Sequence, residues 1–215
     1  MTRIMRSPAA LVMGLVLAMV ILPCVGCGGA GKTPESIFER AKSSAQDKDY
    51  KTFVDCFTPE SQDSLAKVMV QAAAGLMMLK DMPSMPGAPG GGQIAKMEAL
   101  LPEVEAILER HDISSEDLSQ GGGMFGMMGM GDSSEIDSIV DGIKNKPAFI
   151  GDMMDAMEEL GEDAQSVEGS FVGELTEVEI NGERATGKIT NLPNGGDGDI
   201  EFHKTSEGWR IHLPM

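Results

Sequence analysis

The spacing of apolar residues predicts helices in most of the chain. From Pro34 to Leu160, apolar side chains recur every three or four positions, which is the period of an amphipathic helix. Two of the predicted helices begin with the tetrapeptide Thr-Pro-Glu-Ser, in which threonine suits the N-cap position and proline the first helical position. The pattern predicts helices at residues 34–46, 59–80, 93–110, 133–144 and 147–160.

After Gly161 the apolar period changes to two residues, which is typical of β-strands. The pair Asn181-Gly182 is a strong signal for a hairpin turn between the first two strands. We therefore expect an α+β fold, with N-terminal helices packed on a C-terminal four-stranded antiparallel curved sheet. The strands are predicted at residues 171–180, 183–190, 199–205 and 209–213.

The alternation in the last hairpin indicates how its two strands pair. A two-residue turn at Ser206-Glu207 sets Phe202 opposite Ile211 and places nearly all apolar side chains on one face. The other face is expected to contact solvent. It carries Glu201, His203, Arg210 and His212, with Glu201 opposite His212 and His203 opposite Arg210.

Two segments rich in glycine interrupt the helical part, at residues 81–92 and 119–132. Both are expected to be linkers within a single domain that covers residues 34–215. The second contains the tract Met124-Phe125-Gly126-Met127-Met128-Gly129-Met130. Thioethers select Cu(I), but no histidine or cysteine lies near the tract in the sequence. A flexible apolar loop, or one that contacts a partner, is the simpler interpretation.

Both ends of the domain carry motifs with a family resemblance. The stretch Ala45-Gln46-Asp47-Lys48-Asp49-Tyr50-Lys51-Thr52-Phe53 leads into Phe57-Thr58-Pro59-Glu60, and the last hairpin contains Gly208-Trp209-Arg210-Ile211. These motifs resemble those of nuclear-transport-factor-two-like domains in bacterial lipoproteins. The resemblance covers residues 33–80 and 165–215, and it implies a curved sheet folded around helices into a cone. The family includes enzymes, ligand binders and many domains of unknown role.

The first 33 residues have the order of a secretory signal. Arg3 and Arg6 precede an apolar run at residues 9–22, and the small residues Val25-Gly26 precede Cys27. This order resembles that of bacterial lipoproteins, in which the cysteine after the cleavage site is lipidated. The resemblance implies that Cys27 is the site of lipid attachment.

This interpretation defines the predicted start of the mature protein and its location. Residues 1–26 would be the lipoprotein signal peptide and residues 27–33 a lipidated tether. The protein would be exported and anchored by its lipid to a bacterial membrane, facing the periplasm or the cell exterior. An uncleaved membrane anchor would have the same orientation, because Arg3 and Arg6 favour the cytoplasmic side.

Two other motifs overlap this region. Cys24-Val25-Gly26-Cys27 has the C-x-x-C spacing of redox and metal sites, but cleavage before Cys27 would separate the two sulfurs. Residues 26–33 match the nucleotide-binding pattern G-x-x-x-x-G-K-T. The rest of the chain lacks the strand–helix alternation of a parallel sheet, which such a site requires. We therefore predict neither a redox site nor a nucleotide site.

Charge and cysteine content restrict the possible functions. The chain carries a formal net charge of −17, and binding nucleic acid depends on Lys and Arg, so no nucleic-acid partner is expected. Of the three cysteines, only Cys27 and Cys56 would remain after cleavage. With Cys27 lipidated, no disulfide can form within the mature chain. Cys56 lies among apolar residues and is expected to be a small core residue.

The remaining candidate chemistry lies on the predicted solvent face of the last hairpin. Glu201, His203 and His212 are expected to cluster there, and two histidines with one carboxylate can hold a metal ion. A cross-strand contact between glutamate and histidine is the commoner arrangement on such a face. The sequence therefore predicts no metal ligand, no cofactor and no catalytic residue.

Together these patterns predict a non-enzymatic envelope lipoprotein that binds a protein partner or a small ligand and contacts the membrane through its N-terminal lipid. The alternative is an enzyme or small-ligand carrier whose site lies in the cavity of a nuclear-transport-factor-two-like cone. A deep pocket with convergent polar groups would favour the alternative, whereas a filled cavity would argue against it.

Overall fold

The computed structural model describes residues 31–81, 91–115, 118, 133–158, 171–192 and 196–214. Within these residues, helices come first and an open antiparallel sheet comes last, which confirms the predicted α+β class. The helices are α1 (Pro34–Gln46), α2 (Tyr50–Asp55), α3 (Pro59–Asp81), α4 (Gly91–Arg110), α5 (Ser133–Gly142) and α6 (Lys146–Glu158). The strands are β1 (Glu174–Asn181), β2 (Arg184–Thr190), β3 (Gly198–Thr205) and β4 (Gly208–His212).

Both Thr-Pro-Glu-Ser segments start a helix as predicted. At α1, the Ser36 amide donates to the Thr33 hydroxyl at 3.2 Å, and the Thr33 amide donates to the Ser36 hydroxyl at 3.0 Å. This reciprocal pair satisfies amides that the helix itself leaves without acceptors. At α3, the Ser61 amide donates to the Thr58 hydroxyl at 3.3 Å.

The strands follow one another in the order β1-β2-β3-β4, and each pair is antiparallel. The register of the last hairpin is the predicted one, with Phe202 opposite Ile211 and Glu201 opposite His212. The first hairpin differs by one residue, because Asn181 pairs with Arg184 and the turn is Gly182-Glu183. Gly182 supplies the positive φ, +66°, that this turn needs at its first position.

Strand β1 is irregular in a way that the sequence did not indicate. It begins at Glu174, three residues after the predicted start at Phe171. Its register against β2 shifts between Thr176 and Glu179, and Glu177 within this bulge has a φ of +52°. A bulge and exposed charges on an edge strand hinder pairing with another chain.

An aromatic cluster joins the first helices to the sheet. Phe38, Phe53, Phe57 and Phe171 lie with neighbouring ring centroids 4.9–5.9 Å apart, and all four side chains are buried. The apolar face of the sheet adds Ile200, Phe202, Trp209 and Ile211 to the same core. Among the described residues, the space between these helices and the sheet is therefore filled by side chains.

The outer edge of β4 is covered by two segments from the N-terminal half. Gly31 forms an antiparallel bridge with Trp209, and Phe57 forms a parallel bridge with Ile211. As a result Arg210, predicted on the solvent face, is only 7% exposed. The prediction of a solvent face was therefore wrong for Arg210, because the segment between α2 and α3 packs over it.

Some predicted segment limits change, and others lie outside the described residues. Of the first predicted linker, Asp81 belongs to α3, Gly91 and Gly92 belong to α4, and residues 82–90 lie outside the described residues. Gly31 to Thr33, predicted in the tether, are joined to the folded body. The second linker and the signal region with Cys27 lie outside the described residues. No helix within the described ranges is long and apolar enough to cross a membrane.

Candidate functional site

The structure brings together Glu201, His203 and His212 as predicted. Glu201 and His203 are two residues apart on β3 and therefore share a face, and His212 on β4 is directly opposite Glu201. The backbone hydrogen bonds of the hairpin fix this arrangement, so it does not depend on a loop. The three side chains are called the β3–β4 cluster below.

The polar atoms of the cluster lie close together. One ring nitrogen from each histidine and one carboxylate oxygen of Glu201 lie within 4.8 Å of one another. The two imidazoles stack, with centroids 4.0 Å apart and an interplanar angle of 13°. His203 Nε2 is 3.8 Å from Glu201 Oε2, which is too long for a hydrogen bond.

His203 Nε2 is an unusual atom in this structure. It is buried and has no hydrogen-bond partner among the described residues. A buried polar atom without a partner is destabilising, because it has lost its contacts with water and gained none in exchange. The cluster therefore contains a ring nitrogen whose hydrogen-bonding capacity is unused among the described residues.

The start of α3 forms one wall of the cluster. The Thr58 hydroxyl lies 3.2 Å from His212 Nδ1, and it also contacts the Ser61 hydroxyl at 2.9 Å. Ser61 in turn accepts a hydrogen bond from the Leu213 amide at 2.9 Å. Thr58 and Ser61 are buried, so they hold the His212 ring in a defined orientation. The sequence indicated Thr58 only as a helix cap.

The surroundings favour neutral His203. Burial lowers the pKa of His203, and the neighbouring His212 and Arg184 lower it further, while Glu201 and Glu60 act in the opposite direction. A neutral imidazole keeps a lone pair on one ring nitrogen, which is the form that binds metal ions.

Two arginines are cross-strand neighbours of His203, Arg184 on β2 and Arg210 on β4. Arg210 is paired with groups outside the cluster. Its guanidinium forms an ion pair with Glu207 at 2.6 Å and lies 3.7 Å from an oxygen of the Asp55 carboxylate. It also donates to the backbone carbonyl oxygens of Asp55 and Phe57. Arg210 thereby links the segment before α3 to β4. Its described hydrogen bonds go to groups outside the β3–β4 cluster.

A second polar region lies between the end of α4 and α5. It is an open pocket of about 440 Å³, whose polar lining includes Asp112, Ser114, Glu135 and Ser138. His111 also lines it, but His111 Nε2 contacts Asp152 Oδ2 on α6 at 3.0 Å. The Ala148–Asp152 stretch is helical, so Asp152 does not follow a strand as a nucleotide site would require.

Cys56 has the environment of a core residue, as predicted. It is fully buried, and its Sγ donates to the Thr52 carbonyl oxygen at 3.3 Å. Burial raises the pKa of the Cys56 thiol to about 12, and nearby charges change it less. Because the thiolate is the reactive form, Cys56 is not suited to nucleophilic chemistry.

The other sequence motifs fall mainly outside the described residues. Cys27, the C-x-x-C motif and the methionine tract at 124–130 all lie there. Of the nucleotide-binding pattern, Gly31, Lys32 and Thr33 are described, and the Thr33 side chain accepts the α1 cap hydrogen bond. In a nucleotide site this hydroxyl would bind Mg²⁺.

No family model, curated protein or solved structure matches the chain. The resemblance to the nuclear-transport-factor-two-like family therefore stays a prediction.

Proposed function

We propose that the chain is an exported, lipid-anchored envelope protein without catalytic activity, which binds a protein partner or a small ligand. The observation that carries the proposal is the order of Arg3, Arg6, the apolar run at 9–22, and Val25-Gly26 before Cys27. This order is that of a cleaved signal followed by an acylated cysteine. Several acyl chains on Cys27 would give stable attachment, whereas one chain gives only marginal binding.

The start of the folded body supports a short connection to the membrane. Gly31 exchanges backbone hydrogen bonds with Trp209, at 3.0 and 2.8 Å. Gly31 is four positions after Cys27, and an extended chain spans about 14 Å over that distance. Cleavage before Cys27 would remove the apolar run without removing any described residue.

The interior supports binding rather than catalysis. The aromatic cluster fills the space between the first helices and the sheet, where the alternative of a cone-shaped enzyme or carrier would need a cavity. The thiol of Cys56 lies in the core, and its raised pKa keeps it in the protonated form, which is not nucleophilic.

The proposal is tested by expressing the full chain in a bacterial host and measuring the intact mass and the incorporation of labelled fatty acid. We expect loss of residues 1–26 and labelling of the product. Cys27→Ser should abolish labelling. Cys24→Leu is the matched control, since it changes the other cysteine of the region and should leave labelling intact. A wild-type product that retains residues 1–26 without a lipid would contradict the proposal.

A further inference from the structure

We propose that the β3–β4 cluster of Glu201, His203 and His212 is a binding site for a divalent transition-metal ion. Zn²⁺ is the ion used below to test the site. This site is independent of lipid attachment and of the proposed envelope location. The bound ion would link β3 to β4 on the face opposite the apolar core.

The donor set determines which class of ion is bound. Two imidazoles and one carboxylate suit Zn²⁺, Cu²⁺ and Ni²⁺, whereas Mg²⁺ and Ca²⁺ prefer oxygen ligands alone. A site with three protein ligands leaves a fourth position for water or another ligand. The buried His203 Nε2, which lacks a partner among the described residues, would gain one by binding the ion.

The geometry lies close to that of a formed site. Tetrahedral Zn²⁺ with bonds of about 2.0–2.1 Å holds its ligand atoms about 3.3 Å apart. The three donor atoms lie within 4.8 Å of one another, so side-chain rotations that shorten these distances by up to about 1.5 Å would close the site. The stacked imidazoles, now at 13°, must turn because a metal ion binds in the plane of each ring.

The neighbouring residues assist this closure. Thr58 Oγ1, 3.2 Å from His212 Nδ1, holds one ring nitrogen, which is how proteins orient histidines that bind a metal through the other nitrogen. Of the positive charges on the same face, Arg210 is paired with Glu207 and Asp55. Arg184, opposite His203 on β2, acts against cation binding. Glu60 is close enough to influence His203 and adds negative potential for a cation.

A cross-strand contact without a metal ion is the competing explanation. It would be expected to show a hydrogen bond between Glu201 and one of the histidines. Instead, Glu201 forms no hydrogen bond with either histidine among the described residues. Its Oε2 is 3.8 Å from Nε2 of His203 on the same strand, and the two imidazoles stack with centroids 4.0 Å apart. The absence of that bond among the described residues is what favours a ligand between the groups.

The test is calorimetric titration of the full-length protein with ZnCl₂ in the presence of excess MgCl₂. We expect saturable binding of one Zn²⁺ that Mg²⁺ does not displace. His203→Ala, His212→Ala and Glu201→Gln should each weaken binding by at least about tenfold. His111→Gln is the matched control, because His111 is the remaining histidine of three in the chain, and it should bind Zn²⁺ like the wild type.

A second measurement on the wild type keeps the test valid if a variant fails to fold. In ¹H–¹⁵N spectra of the imidazole groups, Zn²⁺ should shift the His203 and His212 signals and leave the His111 signals in place. The proposal is overturned if the wild type shows no saturable binding, or if the His111 signals move instead. It is also overturned if the folded His203→Ala/His212→Ala double variant binds like the wild type, since surface carboxylates would then hold the ion.

Discussion

At the scale of single residues, the acidic face of α6 shows that carboxylates of equal charge can have opposite effects on the stability of the fold. Asp152, Asp155 and Glu158 are three residues apart along the helix and therefore neighbours on its surface. Burial raises the pKa of Asp152, but hydrogen bonds from His111 and Arg110 outweigh it, so the pKa lies below its usual value. For Asp155, burial and then the charges of Asp152 and Glu158 raise the pKa.

Asp155 is therefore expected to destabilise the folded state at neutral pH. A folded-state pKa above the unfolded value means that the carboxylate form opposes folding, and the penalty is lost as the pH falls through the folded-state pKa. Because Asp155 is exposed and solvent screens its charge, Asp155→Asn should raise the free energy of unfolding by only about 0.5 kcal/mol near pH 7, and by nothing near pH 3. Urea denaturation at both pH values measures this difference.

Asp152→Asn is the control with the opposite sign. Its folded-state pKa is lowered, so the carboxylate stabilises the fold above the unfolded pKa, and the contribution disappears as the pH falls through the folded value. The variant should therefore be less stable than the wild type near pH 7. If both substitutions shift stability in the same direction at that pH, the electrostatic account of α6 is wrong.

At the scale of elements, local patterns in the sequence were sufficient for most helices and for one hairpin. Thr33 and Thr58 begin helices because their hydroxyls cap amides only three residues away. The register that sets Phe202 opposite Ile211 follows from alternation within one hairpin. Such signals need no information about the rest of the fold.

Elements that depend on distant contacts were not predictable in this way. The bulge at Glu177 has no glycine to indicate a positive φ, and the bridge between Phe57 and Ile211 joins residues far apart in sequence. That bridge is why Arg210 is buried rather than exposed. For the candidate site, alternation placed Glu201 near the two histidines, but the Thr58 wall and the unpartnered His203 nitrogen came only from tertiary packing.

The contact between α2 and α6 gives a prediction at this scale. A Cβ atom at Gly151 on α6 would lie 2.9 Å from the backbone nitrogen of Lys51 on α2 and 3.2 Å from its Cα. Backbone atoms cannot move aside as a flexible side chain can, so Gly151→Ala should force the helices apart. We expect a loss of about 1–3 kcal/mol in the free energy of unfolding, measured by urea denaturation.

Gly75→Ala on α3 is the matched control for that substitution. A Cβ atom there would have no described neighbour within 4 Å outside its own helix backbone. Alanine has the higher helix propensity, so this variant should be more stable by up to about 1 kcal/mol. Equal effects of the two substitutions would show that the close approach at Gly151 does not limit the packing of α2 on α6.

At the scale of the whole molecule, the proposed anchor and the fold together predict an orientation. The chain has a net charge of −17, so an anionic membrane repels it and attachment depends on the lipid. The bridge between Gly31 and Trp209 places the β4 edge at the start of the folded body. A tether from Cys27 to Gly31 would then hold this edge close to the bilayer.

Trp209 is the single tryptophan and thus reports the distance between the β4 edge and the bilayer. Lipidated protein in vesicles should show energy transfer from Trp209 to dansyl-labelled lipid headgroups, because Cys27 reaches Gly31 within about 14 Å. Insertion of a flexible linker of about 20 Gly and Ser residues between Gly29 and Ala30 adds a span of about 25 Å and should reduce the transfer. Non-lipidated Cys27→Ser protein sets the background. Equal transfer with and without the linker would mean that another surface of the protein holds Trp209 near the lipid.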